Sequence, residues 1–134
     1  MLLDRIHHVA YAVADIDSAV SELGGRFGMR VDVREVLEDQ GVEAAALAAG
    51  SSQIELISPL RPDGAVARFL ERRGPGLHHV AFAVEDLEAA LHQLRADGAE
   101  LIDETPRRGL GGHLIAFVHP RSSAGMLTEL VQDH

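Results

Sequence analysis

Two short stretches of the sequence repeat one another, and each opens with a pair of histidines. They read IHHVAYAVADIDSAV at residues 6–20 and LHHVAFAVEDLEAAL at residues 77–91. His8 in the first copy corresponds to His79 in the second, 71 positions further on, and its neighbours match at the same offset. A histidine that recurs at the same place in both copies suggests that the two copies build one site together.

A glutamate follows each histidine at a similar spacing. Glu55 in QIELISP lies 47 residues after His8, and Glu129 in MLTELVQ lies 50 residues after His79. Taken singly, each of these residues is more often a surface or core residue than a ligand. As a matched set of imidazoles and carboxylates, they suit a divalent ion such as Co, Mn, Ni, Zn or Fe. The sequence therefore predicts a metal site formed by His8, Glu55, His79 and Glu129.

Periodicity indicates the elements that must position these residues. Each copy opens with a strand in which bulky residues alternate with the histidine and with alanines, so the bulky side needs a helix packed on it. Asp15 and Asp86 are good N-caps for the helix that follows in each copy. Glycines are expected to end these two helices, at Gly24–Gly25 and at Gly98.

Three further strands are expected in each copy. Glycine and proline breaks place them near residues 30–36, 42–49 and 52–58, and then near 99–103, 113–119 and 125–132. The link PDGAVARFLERRGPG is typical of a short amphipathic helix. The expected architecture is one α+β domain, residues 1–134, with βαβββ modules at about 1–62 and 75–134 and a linker helix at about 63–74. Their strands would form a cupped mixed sheet around a metal cleft.

Composition and charge narrow the classes of partner. The chain has 134 residues with 21 acidic side chains against 12 basic ones, a net charge of −9, which argues against nucleic acid. No stretch approaches the roughly 20 apolar residues that cross a membrane. The N-terminus lacks the apolar core of a secretion signal, and cysteine is absent. We therefore expect a cytoplasmic protein without a membrane partner.

The tandem βαβββ layout resembles the vicinal oxygen chelate superfamily, which includes glyoxalase I, extradiol dioxygenases and antibiotic-resistance proteins. Within it, the sequence resembles the methylmalonyl-CoA epimerase family over nearly its full length, in HHVAYAV, IELISPL, AVARFLERRGPGLHHVAFAV, LIDETPRRG and AFVHPRSSAGMLTELVQ. The resemblance implies metal ligands at His8, Glu55, His79 and Glu129. It also implies a 1,1-proton transfer at carbon 2 of methylmalonyl-CoA through a metal-stabilised enolate, with one Co, Mn, Ni, Zn or Mg ion.

An acyl-CoA substrate would need local positive charge on this acidic chain. Exposed arginines are usually solvated surface, but guanidinium groups also recognise anionic ligands. Arg107 and Arg108, in the glycine-rich PRRGLGG segment, are the candidates for binding the CoA phosphates, and the segment is a candidate mobile lid. The resemblance further implies a homodimer, and an open eight-stranded arrangement has exposed edges that favour association.

Inversion of a carbon centre normally needs two acid–base groups. Glu129 is one candidate, because it is a carboxylate at the expected cleft. Some members of the family carry a second glutamate three residues after the glycine of QGV, but Ala44 stands there in this chain. Glu43 beside it should face the other side of the strand. Either the second base is Glu43 brought inward by the strand register, His113 or a metal-bound water, or the activity is not epimerisation.

The other histidines of the predicted strands are not expected to bind the metal. His7 and His78 point away from the ligand side by alternation and are interpreted as supporting or packing residues. His113 and His119 are interpreted as structural. A glyoxalase I-type isomerase would use the same ligands with a glutathione pocket, whereas a drug-binding protein of this fold would need no metal. A ring-cleaving dioxygenase is the least favoured alternative.

Overall fold

The computed structural model describes residues 1 and 3–133, and the elements within them follow the predicted order. The strands are β1 Arg5–Ala12, β2 Arg30–Leu37, β3 Val42–Ala49, β4 Ser52–Pro59, β5 Gly76–Val84, β6 Arg107–Arg108, β7 Leu114–Val118 and β8 Thr128–Gln132. The helices are α1 Ile16–Phe27, α2 Ala65–Arg73 and α3 Leu87–Ala96. Among these residues, no helix is both long and apolar enough to cross a membrane.

The residues group into two compact units, which are His8–His78 and a unit that combines Met1–His7 with His79–His134. In the first unit the strand order is β2-β3-β4-β1, and in the second it is β5-β8-β7-β6. Each unit has one parallel pair, β1 with β4 and β5 with β8. The other pairs, β2 with β3, β3 with β4, β6 with β7 and β7 with β8, are antiparallel. The βαβββ repeat predicted from the sequence is therefore present twice.

A helix covers the bulky face of the strands in each unit, as the alternation predicts. Around α1 the buried cluster consists of Ile16, Ala45, Leu47 and Leu56, with Tyr11 and Val13 packed against it. Around α3 the cluster includes Leu87, Leu91, Ala116 and Leu130, with Phe82 packed against it. Burial of these apolar side chains stabilises the unit by roughly 25 cal/mol per Å² removed from water. The opposite face of β1 and β5 carries His8, His79 and the alanines that alternate with the bulky residues.

Both predicted N-caps are present. The Asp15 carboxylate accepts the Ser18 N–H at 3.3 Å, and the Asp86 carboxylate accepts the Ala89 N–H at 3.1 Å. Each cap satisfies one of the backbone donors that the first turn of a helix leaves without a carbonyl partner. The two modules therefore start their helices with the same local chemistry.

The end of α1 differs from the prediction. Gly24 and Gly25 lie inside the helix, which continues to Phe27 and ends at Gly28 in the left-handed conformation, with φ of 73°. The Gly28 N–H donates to the carbonyl of Gly24 at 3.0 Å and so caps the last turn. A Cβ at position 24 would lie 3.3 Å from the Met29 carbonyl oxygen, so this glycine permits a close approach instead of ending the helix.

The predicted strand at 99–103 is wrong. This segment makes a single isolated bridge to β7. The Asp103 carboxylate accepts the Phe117 N–H at 2.8 Å, so a side chain takes a donor that a neighbouring strand would use. Pro106 has no N–H to donate to a ladder. The pairing with β7 is taken up at Arg107–Arg108 instead.

Candidate metal and active site

The first candidate pair is His8 on β1 and Glu55 on β4. These strands are parallel, and Ala10 lies opposite Glu55 in their register. His8 is two residues before Ala10, so its side chain lies on the same face as that of Glu55. The Nε2 atom of His8 is 3.2 Å from Oε2 of Glu55, and the two side chains are 4% and 13% exposed.

The second candidate pair, His79 on β5 and Glu129 on β8, repeats this arrangement. The strands are again parallel, and Ala81 lies opposite Glu129. The Nε2 atom of His79 is 3.3 Å from Oε1 of Glu129, with side chains 3% and 6% exposed. The two modules therefore place histidine and glutamate in the same register and at the same contact distance.

The geometry of each pair fits two ligands of one divalent ion. Burying a carboxylate is costly unless it is hydrogen-bonded, paired or bound to a cation. Two ligand atoms each about 2.1 Å from an ion lie about 3.0 Å apart at a right angle and about 3.4 Å apart at a tetrahedral angle. The observed separations of 3.2 and 3.3 Å fall between these values. Imidazole with carboxylate is also a donor set that suits Zn, Co, Ni, Mn or Fe.

The two glutamates have different cross-strand neighbours. Ala46 of β3 lies opposite Glu55, whereas Phe117 of β7 lies opposite Glu129. The Phe117 ring also meets the ring of His79 edge-on, with centroids 5.0 Å apart. Sequence reasoning missed the role of Phe117, because the contact depends on the register between β7 and β8.

Glu43 lies on the face opposite Glu55. Ala46 faces Glu55, and Glu43 is three residues earlier on the same strand, so its side chain points the other way. There Arg34 donates from Nε to Glu43 at 2.8 Å and from Nη1 to Asp17 at 2.7 Å. The hydrogen bond that Arg34 donates to Glu43 raises the pKa of Arg34 most, followed by the one it donates to Asp17. The strand register therefore does not bring Glu43 to the side of Glu55, which removes one of the three options for a second base.

The two arginines proposed for CoA lie on opposite faces of β6. Arg107 pairs with Ile115, which belongs to the cluster on the Glu129 face, and its Nε lies 3.3 Å from the Asp103 carboxylate. Arg108 lies on the α3 side, and its Nη1 donates to the Gly112 carbonyl at 2.6 Å. Only Arg107 thus shares a face with Glu129, while Arg108 braces the glycine-rich turn.

The other histidines have identifiable surroundings. The ring of His78 meets Phe69 of α2 edge-on at 5.0 Å, as expected of a packing residue. His119 accepts the Arg121 N–H at 3.0 Å and so caps a short 3-10 turn, as expected of a structural residue. His7 and His113 instead approach one another, with ring centroids 5.6 Å apart.

Sequence reasoning also missed two acidic residues beside the candidate groups. Asp103 holds Arg107 and the backbone of β7, and Asp133 contacts both His7 and Arg5. Neither aspartate belongs to the repeated pattern. The signal that could have found Asp133 is its position at the end of the Glu129 strand, where alternation puts residues 129, 131 and 133 on one side.

These repeated modules and their two buried His–Glu pairs define a class of protein. Residues 7–117 match the family described as the glyoxalase/bleomycin resistance protein/dioxygenase superfamily. The chain belongs to this superfamily, which confirms the predicted fold class and family resemblance.

Within the superfamily, the chain is similar to methylmalonyl-CoA epimerases. It is 33% identical to the ethylmalonyl-CoA/methylmalonyl-CoA epimerase of Cereibacter sphaeroides over 98% of this chain and 99% of that one. The crystal structure of methylmalonyl-CoA epimerase from Mycobacterium tuberculosis is 39% identical, with a TM-score of 0.94 over 99% of this chain and 90% of that one. A Streptomyces coelicolor epimerase variant in complex with 2-nitronate-propionyl-CoA is 38% identical, with a TM-score of 0.92 over 98% of each chain.

Proposed function

We propose that this protein is an isomerase that interconverts the 2R and 2S forms of methylmalonyl-CoA by a 1,1-proton transfer. The observation that carries the proposal is the identical placement of a buried histidine and glutamate in both modules, at 3.2 and 3.3 Å. The similarity to methylmalonyl-CoA epimerases over nearly the whole chain supports the choice of substrate.

The proposal assigns one divalent ion to His8, Glu55, His79 and Glu129. Two histidines and two carboxylates supply two negative charges, which balance the charge of the ion. When bound, such an ion acts as a Lewis acid that stabilises the negative charge developing on the thioester oxygen as the adjacent proton is removed. The four side chains would hold the ion in a fixed position, and their burial would keep bulk water from competing for it.

Glu129 is the group assigned to proton transfer at carbon 2. It is a carboxylate in the better-buried pair, where Phe117 lies across the strand from it. The second proton transfer is assigned to a water molecule, because Glu43 is bonded to Arg34 on the other face and His113 contacts His7. A positioned acid–base group typically contributes about 10²- to 10⁴-fold to such a rate.

Arg107 is the residue assigned to the anionic part of the substrate. It lies on the Glu129 face of β6, with its Nε 3.3 Å from the Asp103 carboxylate, and a guanidinium group can bind a phosphate or carboxylate through two parallel N–H groups. Arg108 is assigned to positioning, because its bond to the Gly112 carbonyl braces the turn before β7.

Reaction in heavy water tests the proposal. Starting from one epimer, an enzyme with two acid–base groups should place deuterium in the product well before it appears in the substrate. Equal early labelling of both epimers would instead indicate a single base, and absence of labelling would exclude epimerisation. A parallel assay with the hemithioacetal of glutathione separates this activity from the glyoxalase I-type alternative.

The proposal includes a homodimer in the cytoplasm. Ile6 on β1 and Leu77 on β5 are 56% and 65% exposed in the single chain, and such apolar side chains favour association. Sedimentation velocity at micromolar concentration should show a dimer. A monomer at that concentration would contradict this part of the proposal while leaving the proposed reaction untouched.

A further inference from the structure

A second group of metal-type ligands shares no residue with the two His–Glu pairs. It consists of His7, His113 and Asp133, whose ligand atoms all lie within 4.8 Å of one another. The Nε2 atom of His7 is 3.2 Å from Oδ1 of Asp133, and these side chains are 10% and 29% exposed. We propose that these three residues form a second divalent metal site of the two-histidine, one-carboxylate type.

The separation of the ligand atoms supports this assignment. Two atoms bound to one ion at about 2.1 Å each lie about 3.0 to 3.4 Å apart, so His7 and Asp133 are already at the required spacing. The ligand atom of His113 lies within 4.8 Å of the other two, so it needs to move closer by at most about 1.4 to 1.8 Å to reach this spacing. Two imidazoles with one carboxylate suit Zn, Co, Ni or Fe(II), and three protein ligands leave coordination positions for water.

The backbone around His113 holds its ring in place. The Gly109 N–H donates to the His113 carbonyl at 2.8 Å, which closes the turn that precedes β7. Within this turn Gly111 has a φ of 72°, and a Cβ at that position would lie 3.5 Å from the His113 ring. Arg108 braces the same turn through the Gly112 carbonyl at 2.6 Å. The turn therefore fixes the backbone from which the His113 side chain extends.

Arg5 orients the carboxylate of Asp133. It contacts Oδ2, whereas the other oxygen, Oδ1, faces His7. Hydrogen bonds to ligating carboxylates commonly fix their orientation in this way. The guanidinium also places a positive charge close to the ion, which weakens binding. The site should therefore bind metal more weakly than the two His–Glu pairs.

Metal counting on the purified, chelator-stripped protein tests the second site. After equilibration with excess Zn²⁺, the wild-type chain should hold two ions, and His113→Ala and Asp133→Asn should each hold one. His92→Ala, which removes an exposed histidine on α3, should hold two. Circular dichroism verifies folding, and His113→Gln, which keeps a polar side chain of similar reach, gives a second measurement if His113→Ala unfolds.

Co²⁺ titration of a His79→Ala/Glu129→Ala chain isolates the second site from the first. This chain should still develop the visible absorption of a histidine-bound cobalt ion, and adding His113→Ala should weaken its Co²⁺ affinity by at least about tenfold. Arg5→Gln should strengthen that affinity several-fold by removing the nearby charge. One ion per wild-type chain together with no cobalt absorption in the His79→Ala/Glu129→Ala chain, or two ions retained by His113→Ala, would overturn the proposal. This test does not depend on the proposed epimerase activity.

Discussion

The two modules contain the same His–Glu contact, but the strands and side chains beside it differ. In the first, β2 and β3 are each eight residues long, and Ala44 and Ala46 share the face of Glu55. In the second, β6 has only two residues and β7 has five, and Ile115 and Phe117 share the face of Glu129. The repeat thus preserves the ligand register while the neighbouring side chains change from small to large.

This difference indicates that the His–Glu pairs of the two modules have different roles. A large aromatic ring against His79 and Glu129 restricts their rotamers and excludes water, which favours a fixed ligand and base. Alanines beside Glu55 leave that carboxylate more accessible, at 13% exposure against 6% for Glu129. We therefore expect the second module to be less tolerant of substitution at its pair.

Glu129→Gln should have the largest effect. Glutamine keeps the shape of the side chain but removes the negative charge and the proton acceptor, so kcat should fall by about 10³-fold or more. The measurement is steady-state epimerisation with parallel metal counting by atomic emission. Glu71→Gln, at an exposed position on α2, is the matched control and should match wild type. Turnover of Glu129→Gln within threefold of wild type would remove this residue from its assigned role.

Phe117→Ala should destabilise the second module by about 2 to 3 kcal/mol, somewhat below the cost of a fully buried phenylalanine. The expected loss comes from the edge-on contact with His79 and from the apolar cluster around Ile115. Urea unfolding, fitted with a common m-value, measures this loss in the free energy of unfolding.

In the first module, Ala46→Phe tests the reverse change, from a small to a large side chain. Overpacking at this buried position should lower the free energy of unfolding by about 1 to 3 kcal/mol. Equal stability of Phe117→Ala and wild type would contradict the proposal that Phe117 packs tightly against His79 and Glu129.

Arg107→Gln should raise KM for the acyl-CoA by about 10- to 150-fold with a smaller change in kcat, because a charge-assisted bond to an anion is worth about 1.5 to 3 kcal/mol. Arg108→Gln is the matched control on the neighbouring residue of β6, where the side chain faces α3 and bonds the Gly112 carbonyl. It should change KM by less than about threefold, consistent with loss of one backbone bond. A larger KM effect at Arg108 than at Arg107 would reverse the assignment.

Glu55→Gln should cost less than the same change at Glu129. The amide oxygen of glutamine can still serve as a ligand. The lost charge should weaken metal affinity by about tenfold or less, with kcat reduced only a few-fold. Isothermal titration with Co²⁺ gives the affinity, and the same titration of Glu129→Gln gives the comparison. Equal losses of metal affinity and kcat in Glu55→Gln and Glu129→Gln would show that the second module is not the less tolerant of substitution.

The sequence predicted those parts of the molecule that depend on local periodicity. The alternation around His8 and His79 placed the bulky residues against α1 and α3, and the N-caps Asp15 and Asp86 marked where the helices start. The orientation of Glu43 also followed from alternation, once the register of β3 was known.

The parts that the sequence did not predict depend on pairing between distant segments. Phe117 meets Glu129 only through the register of β7 and β8. His7 and Asp133 are separated by 126 positions and have no counterpart in the repeat. The strand expected at 99–103 fails because the Asp103 side chain takes the backbone donor of Phe117. Local pattern carries no information about such long-range competition for hydrogen bonds.

Glu43→Gln should have the smallest effect on turnover. It changes a carboxylate on the face of β3 opposite that of Glu55. Glu43 is bonded to Arg34, which keeps a second partner in Asp17, and solvent-exposed ion pairs of this kind contribute little to stability. Turnover should therefore stay within about twofold of wild type, since Glu43 points away from Glu55. Steady-state kinetics with both epimers, together with deuterium incorporation in heavy water, measures this. A tenfold loss of kcat with a change in the labelling pattern would mean that Glu43 reaches the substrate, and the face assigned to it from the β3–β4 register would then be wrong.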